Sequence, residues 1–292
     1  RNRETGEEYE ETYDMLILSP GAKPIVPPIP GIEEAEALFT LRTVPDTDRI
    51  KAYIDEQTPR RAVVIGGGFI GVEMVENLVR RGIKVILVER ANQVMAPMDY
   101  EMAAMVHDHM REHGVELLLE EGVQALEERG RRVVLASGRA IETDMIILAI
   151  GVQPESGLAK EAGLELGVRG TIKVNEHLQT SDLSIYAIGD AVEVRHYIHG
   201  FETFVPLAWP ANRQGRLVAD HIHGFDAKYS GTLGTSIAKV FELAVAATGL
   251  NEKTLRSLGL PYEAIHLHPL SHAGYYPHAA PMTFKLIFDR NS

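Results

Sequence analysis

The residues best placed to do chemistry lie between Arg61 and Arg90, RRAVVIGGGFIGVEMVENLVRRGIKVILVER. Gly66, Gly68 and Gly71 spell G-x-G-x-x-G directly after a short apolar run, Ala62 to Ile65. Such a pattern suits a pyrophosphate. The first glycine permits a tight turn, the second lets a phosphate approach the backbone, and the third lets the following helix lie close to the strand. That helix offers free N–H groups and a partial positive charge to the phosphate. Gly67, Phe69 and Ile70 belong to the same turn. Glu89 closes the next apolar run, Ile83 to Val88, roughly 20 residues beyond the glycines, where an acid can accept from an adenine ribose. Its carboxylate would repel a 2′-phosphate, which favours NADH; Arg90 beside it keeps NADPH open. A second candidate is Asp190, following Gly189 at the end of a strand-like run, Ile185 to Ile188. It can accept from ligand hydroxyls, though alone such a residue is more often a cap or turn former. Histidines crowd two places. His109 and His113 are four apart without an H-E-x-x-H pattern, and His266, His268, His272 and His278 sit near the C-terminus. They read as surface or interface histidines, and no metal is expected.

These residues need elements to hold them. Ile70, Met74, Leu78 and Arg81 share the spacing of one helical face, and Gly82 is a natural stop. Asp99 to His113 reads as a helix with Met102, Val106, Met110 and His113 along its core stripe, ended by Gly114. Val115 to Leu119 resumes a strand. Three short extended pieces follow, with turns at Arg129-Gly130 and Ser137-Gly138, and predict a β-meander. A helix is expected near Asp46 to Asp55, capped by Asp46 or Asp48. Another begins near Leu207, just after Pro206. The last piece carries strands at Ser236 to Phe241 and Leu243 to Thr248, a helix near Asn251 to Leu258, and a strand-like FKLIFD at Phe284 to Asp289. The segment Glu193 to Thr203 fits a lid or an interface hairpin.

Asp14 to Pro24, DMLILSPGAKP, and Asp144 to Pro154, DMIILAIGVQP, share D-M-x-I-L-x-x-G-x-x-P. The match implies two related nucleotide-binding folds, each closed by a strand whose glycine turn, at Gly21 and Gly151, ends near a ligand. The proline then throws the chain onward. The expected organisation is α/β: residues 1–43 in one Rossmann-like domain, 44–152 a second of three layers nested within it, 153–230 the return to the first, and 231–292 a partial α+β domain.

Bulk properties narrow the function. The net charge of −12 disfavours a nucleic-acid surface. No apolar run reaches spanning length and no signal peptide opens the chain, so a cytoplasmic protein without membrane partners is expected. With no cysteine among the 292 residues, no thiol nucleophile or disulfide lies within them. A polar, hairpin-like opening from Arg1 and an ending just after a strand are expected of a fragment.

Together the motifs resemble the flavin- and pyridine-nucleotide-dependent disulfide reductases, closest to the coenzyme A disulfide reductase and NADH oxidase branch. YDMLILSPGAKP looks like the exit from that family's FAD domain, IGGGFIGVE with Glu89 like its NADH domain, TSDLSIYAIGDAVEV like its second FAD motif, PLAWPANRQGR like the helix aimed at the flavin, and SHAGYYPHAAP like an H-x-x-Y-Y-P signature. The resemblance implies that Ser19, Gly21, Gly189, Asp190, Pro206, Leu207 and Ala208 serve FAD, with N–H groups of Leu207 and Ala208 stabilising negative charge on the flavin. It implies NADH on Gly66, Gly67, Gly68, Phe69, Ile70, Gly71, Glu89 and Arg90, with Glu73 and Gly151 near the nicotinamide. Tyr275 and Tyr276 would reach a disulfide substrate across a homodimer as proton donors or orienters; their bland alternative is an aromatic pair at an interface. Hydride would pass from NADH to FAD and on to a cysteine outside these residues, which reduces a coenzyme A-type disulfide or persulfide. The alternatives are an oxidase using oxygen and a non-catalytic nucleotide-binding remnant. Without the family's first glycine motif, the chain is expected to bind FAD poorly.

Overall fold

The computed structural model describes residues 2 and 4–290. They form two compact units, Pro24–Gly151 with Thr235–Ser292, and Arg1–Lys23 with Val152–Gly234. The main segment of the first, Pro24–Gly151, is nested in sequence within the second, and Thr235–Ser292 follows it; the fold class is α/β.

The Pro24–Gly151 unit is built on a five-stranded parallel sheet in the order Leu38–Phe39, Met145–Leu148, Arg61–Ile65, Lys84–Val88, Glu116–Leu118. Its central strands are apolar almost throughout because both faces are covered. Ala62, Val64, Val85, Leu87, Met145 and Ile147 face a helical layer through Val72, Val75, Leu78, Val106 and Met110. Their alternating neighbours Val63, Ile65, Ile86, Val88, Ile146 and Leu148 face the antiparallel meander Val123–Glu127, Arg132–Leu135, Ala140–Glu142 through Leu126, Val133, Leu135 and Ile141. Helix, sheet and meander make the three layers.

Local signals account for most boundaries. Helix Phe69–Arg80 stops at Gly82, whose φ of +78° suits glycine; the N–H of Ile83 donates to Leu78 O at 3.1 Å. Helix Tyr100–Glu112 ends the same way at Gly114. Two expectations need correction. The buried face of Phe69–Arg80 runs through Val72, Val75 and Leu78, with Ile70 and Met74 on its flank and Arg81 exposed. Helix Val44–Gln57 is capped by Thr43, not by Asp46 or Asp48. Asp46 sits three residues in and accepts from the N–H groups of Thr43 (2.8 Å) and Arg42 (3.1 Å). These bonds and Arg49 hold its pKa down to about 2.

Residues 24–43 and 235–292 group with the nested unit rather than with the domains expected from sequence. Leu38–Phe39 joins the sheet edge beside Met145–Leu148. The hairpin Ser236–Val240/Leu243–Ala247 packs on Phe69–Arg80, where Glu76, buried, accepts from the Phe241 N–H at 2.9 Å. A helix, Glu252–Ser257, and a second hairpin, Glu263–Leu267/Phe284–Phe288, complete it. Lys285, 5% exposed, is ringed by Asp99, Glu101 and Glu252.

In the other unit Leu16–Leu18 pairs in parallel with Ile185–Ala187, and helix Ala208–Ile222 packs on the turn that follows. Of the run Met15 to Leu18 only Leu18 is buried, and Met15 and Ile17 are exposed. The polar opening forms a turn, the N–H of Asn2 donating to Glu7 O at 2.8 Å, without a paired strand among the described residues. Among the described residues no helix is long and apolar enough to cross a membrane.

Candidate functional site

In the nested unit the strand order reverses between Arg61–Ile65 and Met145–Leu148. The chain runs outward from the first through Lys84–Val88 to Glu116–Leu118, then returns to its other side. At such a switch point the loops beyond the carboxyl ends diverge and leave a crevice. Gly66–Gly71 and Ala149–Gly151 stand there. Each motif glycine meets a distinct constraint. Gly66 has φ +107°, and an added Cβ would lie 2.4 Å from Ala149 O. Around a Cβ on Gly68 nothing lies within 4 Å, leaving the space a phosphate needs. A Cβ on Gly71 would lie 1.9 Å from Gly66 O, so helix and turn touch backbone to backbone. Gly68 is the N-cap of helix Phe69–Arg80, and the N–H groups of Phe69 and Ile70 have no acceptor among the described residues.

Glu89 is fixed against this turn. Its Oε2 accepts from the Gly67 N–H at 2.6 Å and its Oε1 from the Ala91 N–H at 2.7 Å. Arg90 and Glu73 are exposed, Glu73 one turn into the helix. Gly151 has φ +129° and its carbonyl accepts from the Ile25 N–H at 3.0 Å. Gly21, its counterpart in the repeated motif, has φ +74°.

Sequence reasoning missed one residue that steadies this site. His107 is buried, and its Nε2 accepts from the Val94 N–H at 3.1 Å. Burial, helped by Arg111, lowers its pKa, which keeps the imidazole neutral and able to accept. The loop it anchors lies on the glycine turn: Met95 N–H donates to Gly67 O at 2.8 Å. His107 is buried next to Val106 on this helix, but a lone histidine in a helical pattern does not by itself say that it faces inward.

The Val152–Gly234 unit holds the second group. The parallel register Leu18↔Ala187 brings Ser19 and Gly189-Asp190 to one edge. Gly189 has φ +79° and donates its N–H to Gln214 Oε1 at 2.7 Å. Gln214, buried on helix Ala208–Ile222, is a second positioning residue that sequence did not single out. Asp190 is half-buried with no hydrogen-bond partner among the described residues, and burial raises its pKa. Leu207 caps the helix, with Pro206 before it. The expectation for Leu207 needs correcting here: its N–H is taken by Val205 O at 2.9 Å. Ala208 and Trp209 keep N–H groups without an acceptor among the described residues, and Pro210 has none to offer. Tyr275 and Tyr276 stand on their own loop, exposed, with ring centroids 4.8 Å apart.

Residues 1–215 match a family model described as pyridine nucleotide-disulphide oxidoreductase. A Methanocaldococcus jannaschii protein named NADH oxidase is 35% identical over 98% of this chain and 64% of its own length. A Staphylococcus aureus coenzyme A disulfide reductase is 34% identical over 100% of this chain and 65% of its own length. The solved structure of reduced Bacillus anthracis CoADR-RHD is 71% identical, with a TM-score of 0.97 over 98% of this chain and 52% of that one. The chain thus spans less than two thirds of each of these three proteins.

Proposed function

The chain belongs to the pyridine nucleotide-disulphide oxidoreductase family, and from that membership we propose that it is the nucleotide-handling part of a flavoprotein that draws on NADH to reduce a coenzyme A-type disulfide or persulfide. The observation that carries the NADH assignment is Glu89, held by two backbone N–H groups beside the glycine turn. Gly68 leaves room for the pyrophosphate, and the N–H groups of Phe69 and Ile70 meet its charge. Glu89 receives the adenine ribose hydroxyls and repels a 2′-phosphate. Glu73 and Gly151 border the nicotinamide half.

Asp190 fits a flavin. A half-buried carboxylate with no protein partner at a strand end suits a ligand that brings hydroxyl donors. Ser19, Gly21 and Gly189 shape the same edge, and the N–H groups of Ala208 and Trp209 supply positive potential at a helix start. When bound, FAD and the nicotinamide supply the hydride and electron chemistry. Tyr275 and Tyr276 orient or protonate the substrate sulfur. The reducing thiol lies outside these residues, which contain no cysteine.

The chain works as a homodimer. One face of the second hairpin, Ile265, Leu267, Phe284, Leu286 and Phe288, is apolar and exposed, as a surface awaiting a second copy would be. Oxygen as final acceptor is the second reading, favoured by the relative named NADH oxidase.

Fluorescence titration with NADH and NADPH tests the nucleotide assignment. NADH should bind at least tenfold tighter, and Glu89→Gln should erase that preference. Tighter binding of NADPH by the unaltered chain would refute it.

A further inference from the structure

Helix Tyr100–Glu112 carries a group of side chains that nucleotide binding does not use. His109 and His113, the residue that ends the helix, are four apart and so stand one turn apart on one face. Their ring centroids are 4.6 Å apart. Facing them is the tight turn between Ser236–Val240 and Leu243–Ala247. There Phe241, at φ +52°, stacks on His113 with centroids 3.9 Å apart and planes 12° apart. The turn aims Glu242 at both rings. Its Oε2 lies 2.9 Å from His113 Nε2 and 3.3 Å from His109 Nε2.

Hydrogen bonds define the tautomers. His113 Nδ1 is 2.8 Å from the His109 carbonyl, so it carries the hydrogen. The Glu242 N–H points at His109 Nε2 from 3.4 Å, while His109 Nδ1 faces Glu112 at 3.6 Å. In the neutral rings the His113 Nε2 lone pair faces the Glu242 carboxylate oxygen, and that of His109, 3.3 Å from the same oxygen, has only the long Glu242 N–H contact as a donor. Three electron-rich atoms so close repel one another unless a cation sits among them. A proton bridges one nitrogen to the oxygen; a metal ion serves all three. Tetrahedral zinc, with bonds of about 2.0–2.1 Å, sets neighbouring ligand atoms about 3.3 Å apart. The 2.9 and 3.3 Å separations are close to that. The His113 Nδ1–H bond to a backbone carbonyl is the outer contact that metal-bound imidazoles make.

We infer that His109, His113 and Glu242 form a site for a divalent transition metal, zinc in the first instance. Two imidazoles and a carboxylate suit zinc, nickel or copper better than magnesium or calcium. Exposure of Glu242 leaves the fourth position to water. The ion clips the 241–242 turn, and with it the hairpin, to the helix; all three ligands lie in one compact unit.

The test is calorimetric titration of zinc chloride into the chelator-stripped chain at pH 7.5, alongside thermal melts. One equivalent should bind, raising Tm by about 5 °C at a free zinc concentration a hundred times Kd. The double variant His109→Gln/His113→Gln, and Glu242→Gln alone, should each weaken binding by at least the ten- to hundredfold that loss of an outer partner brings. Metal-free melts of the variants establish that they fold; should the double variant not fold, His113→Gln alone takes its place. Equal zinc affinity in the unaltered chain and the variants would place the ion on other histidines and overturn the site. So would no binding tighter than about 100 μM, or stabilisation that appears only on acidification and ignores zinc.

Discussion

Replacing the motif glycines one at a time separates their jobs. Gly71→Ala adds a methyl 1.9 Å from the Gly66 carbonyl oxygen, about 1 Å inside the closest approach real Cβ atoms make. The obstacle is backbone, so the helix must move away from the strand. Overpacking of this kind costs about 1–3 kcal/mol, and the better helix propensity of alanine returns at most about 1 kcal/mol. A net loss of about 1–2 kcal/mol lowers Tm by about 2–8 °C. Gly68→Ala meets nothing within 4 Å and has φ −74°. Its folding penalty is confined to a poorer N-cap, about 1 kcal/mol or less. Yet its methyl occupies the space reserved for pyrophosphate, and NADH affinity should fall at least tenfold, about 1.4 kcal/mol. Paired melting curves and NADH fluorescence titrations read both effects. Gly68→Ala binding NADH as well as the unaltered chain, or Gly71→Ala melting higher, would refute the division of labour.

Three further outcomes are expected. Because burial lowers the His107 pKa, the unfolded chain binds its proton more readily; the resulting stability is complete above about pH 6.5 and declines as pH falls toward the lower folded value. His107→Gln should flatten denaturant-measured stability between pH 5 and 6.5, and an unchanged slope would show that His107 is not the titrating group. Asp46→Ala should remove about 1 kcal/mol of helix capping at pH 7. That difference should shrink as pH drops from 3.8 to about 2, where the original carboxylate is itself protonated; melts at pH 7 and pH 2.5 check it. In the full-length enzyme, Tyr275→Phe/Tyr276→Phe should cripple coenzyme A disulfide reduction and spare oxygen reduction, and equal loss in both assays would count against the disulfide reading.

What was legible in the sequence is what short-range chemistry decides. The glycine turn and the stops at Gly82 and Gly114 depend on backbone conformations that few other residues adopt. The meander announced itself through Arg129-Gly130 and Ser137-Gly138, both of which precede or lie between paired strands. The allegiance of residues 24–43 was not legible, because it rests on distant partners: Leu38 and Phe39 pair with a strand more than a hundred positions away, and Pro30 and Glu36 bond to the meander. Nor was the capture of the Ser236–Val240 hairpin by Glu76, which no local pattern distinguishes from a solvent-facing glutamate. Thr43 lost to Asp46 as the expected cap because the two act reciprocally, the Thr43 side chain on the Asp46 N–H and the Asp46 carboxylate on the Thr43 N–H, and residue type alone does not say which comes first. Gln214 and His107 escaped notice for one reason. Each positions a loop on another element, and a lone polar residue in a helix pattern does not say which way it points.

Under the proposed function the carboxylate of Glu89 would be a recognition element as well as the brace that its two backbone bonds make it. Whoever sets out to convert this protein to NADPH by removing that acid will also release the part-buried Gly67 amide, worth about 1–3 kcal/mol if left unmatched, and the exposed Ala91 amide, which water can satisfy. Coenzyme preference and the rigidity of the phosphate turn are therefore mechanically joined. Retuning one without loosening the other requires a replacement that still accepts from both amides, or a second substitution elsewhere in the loop to reclaim them.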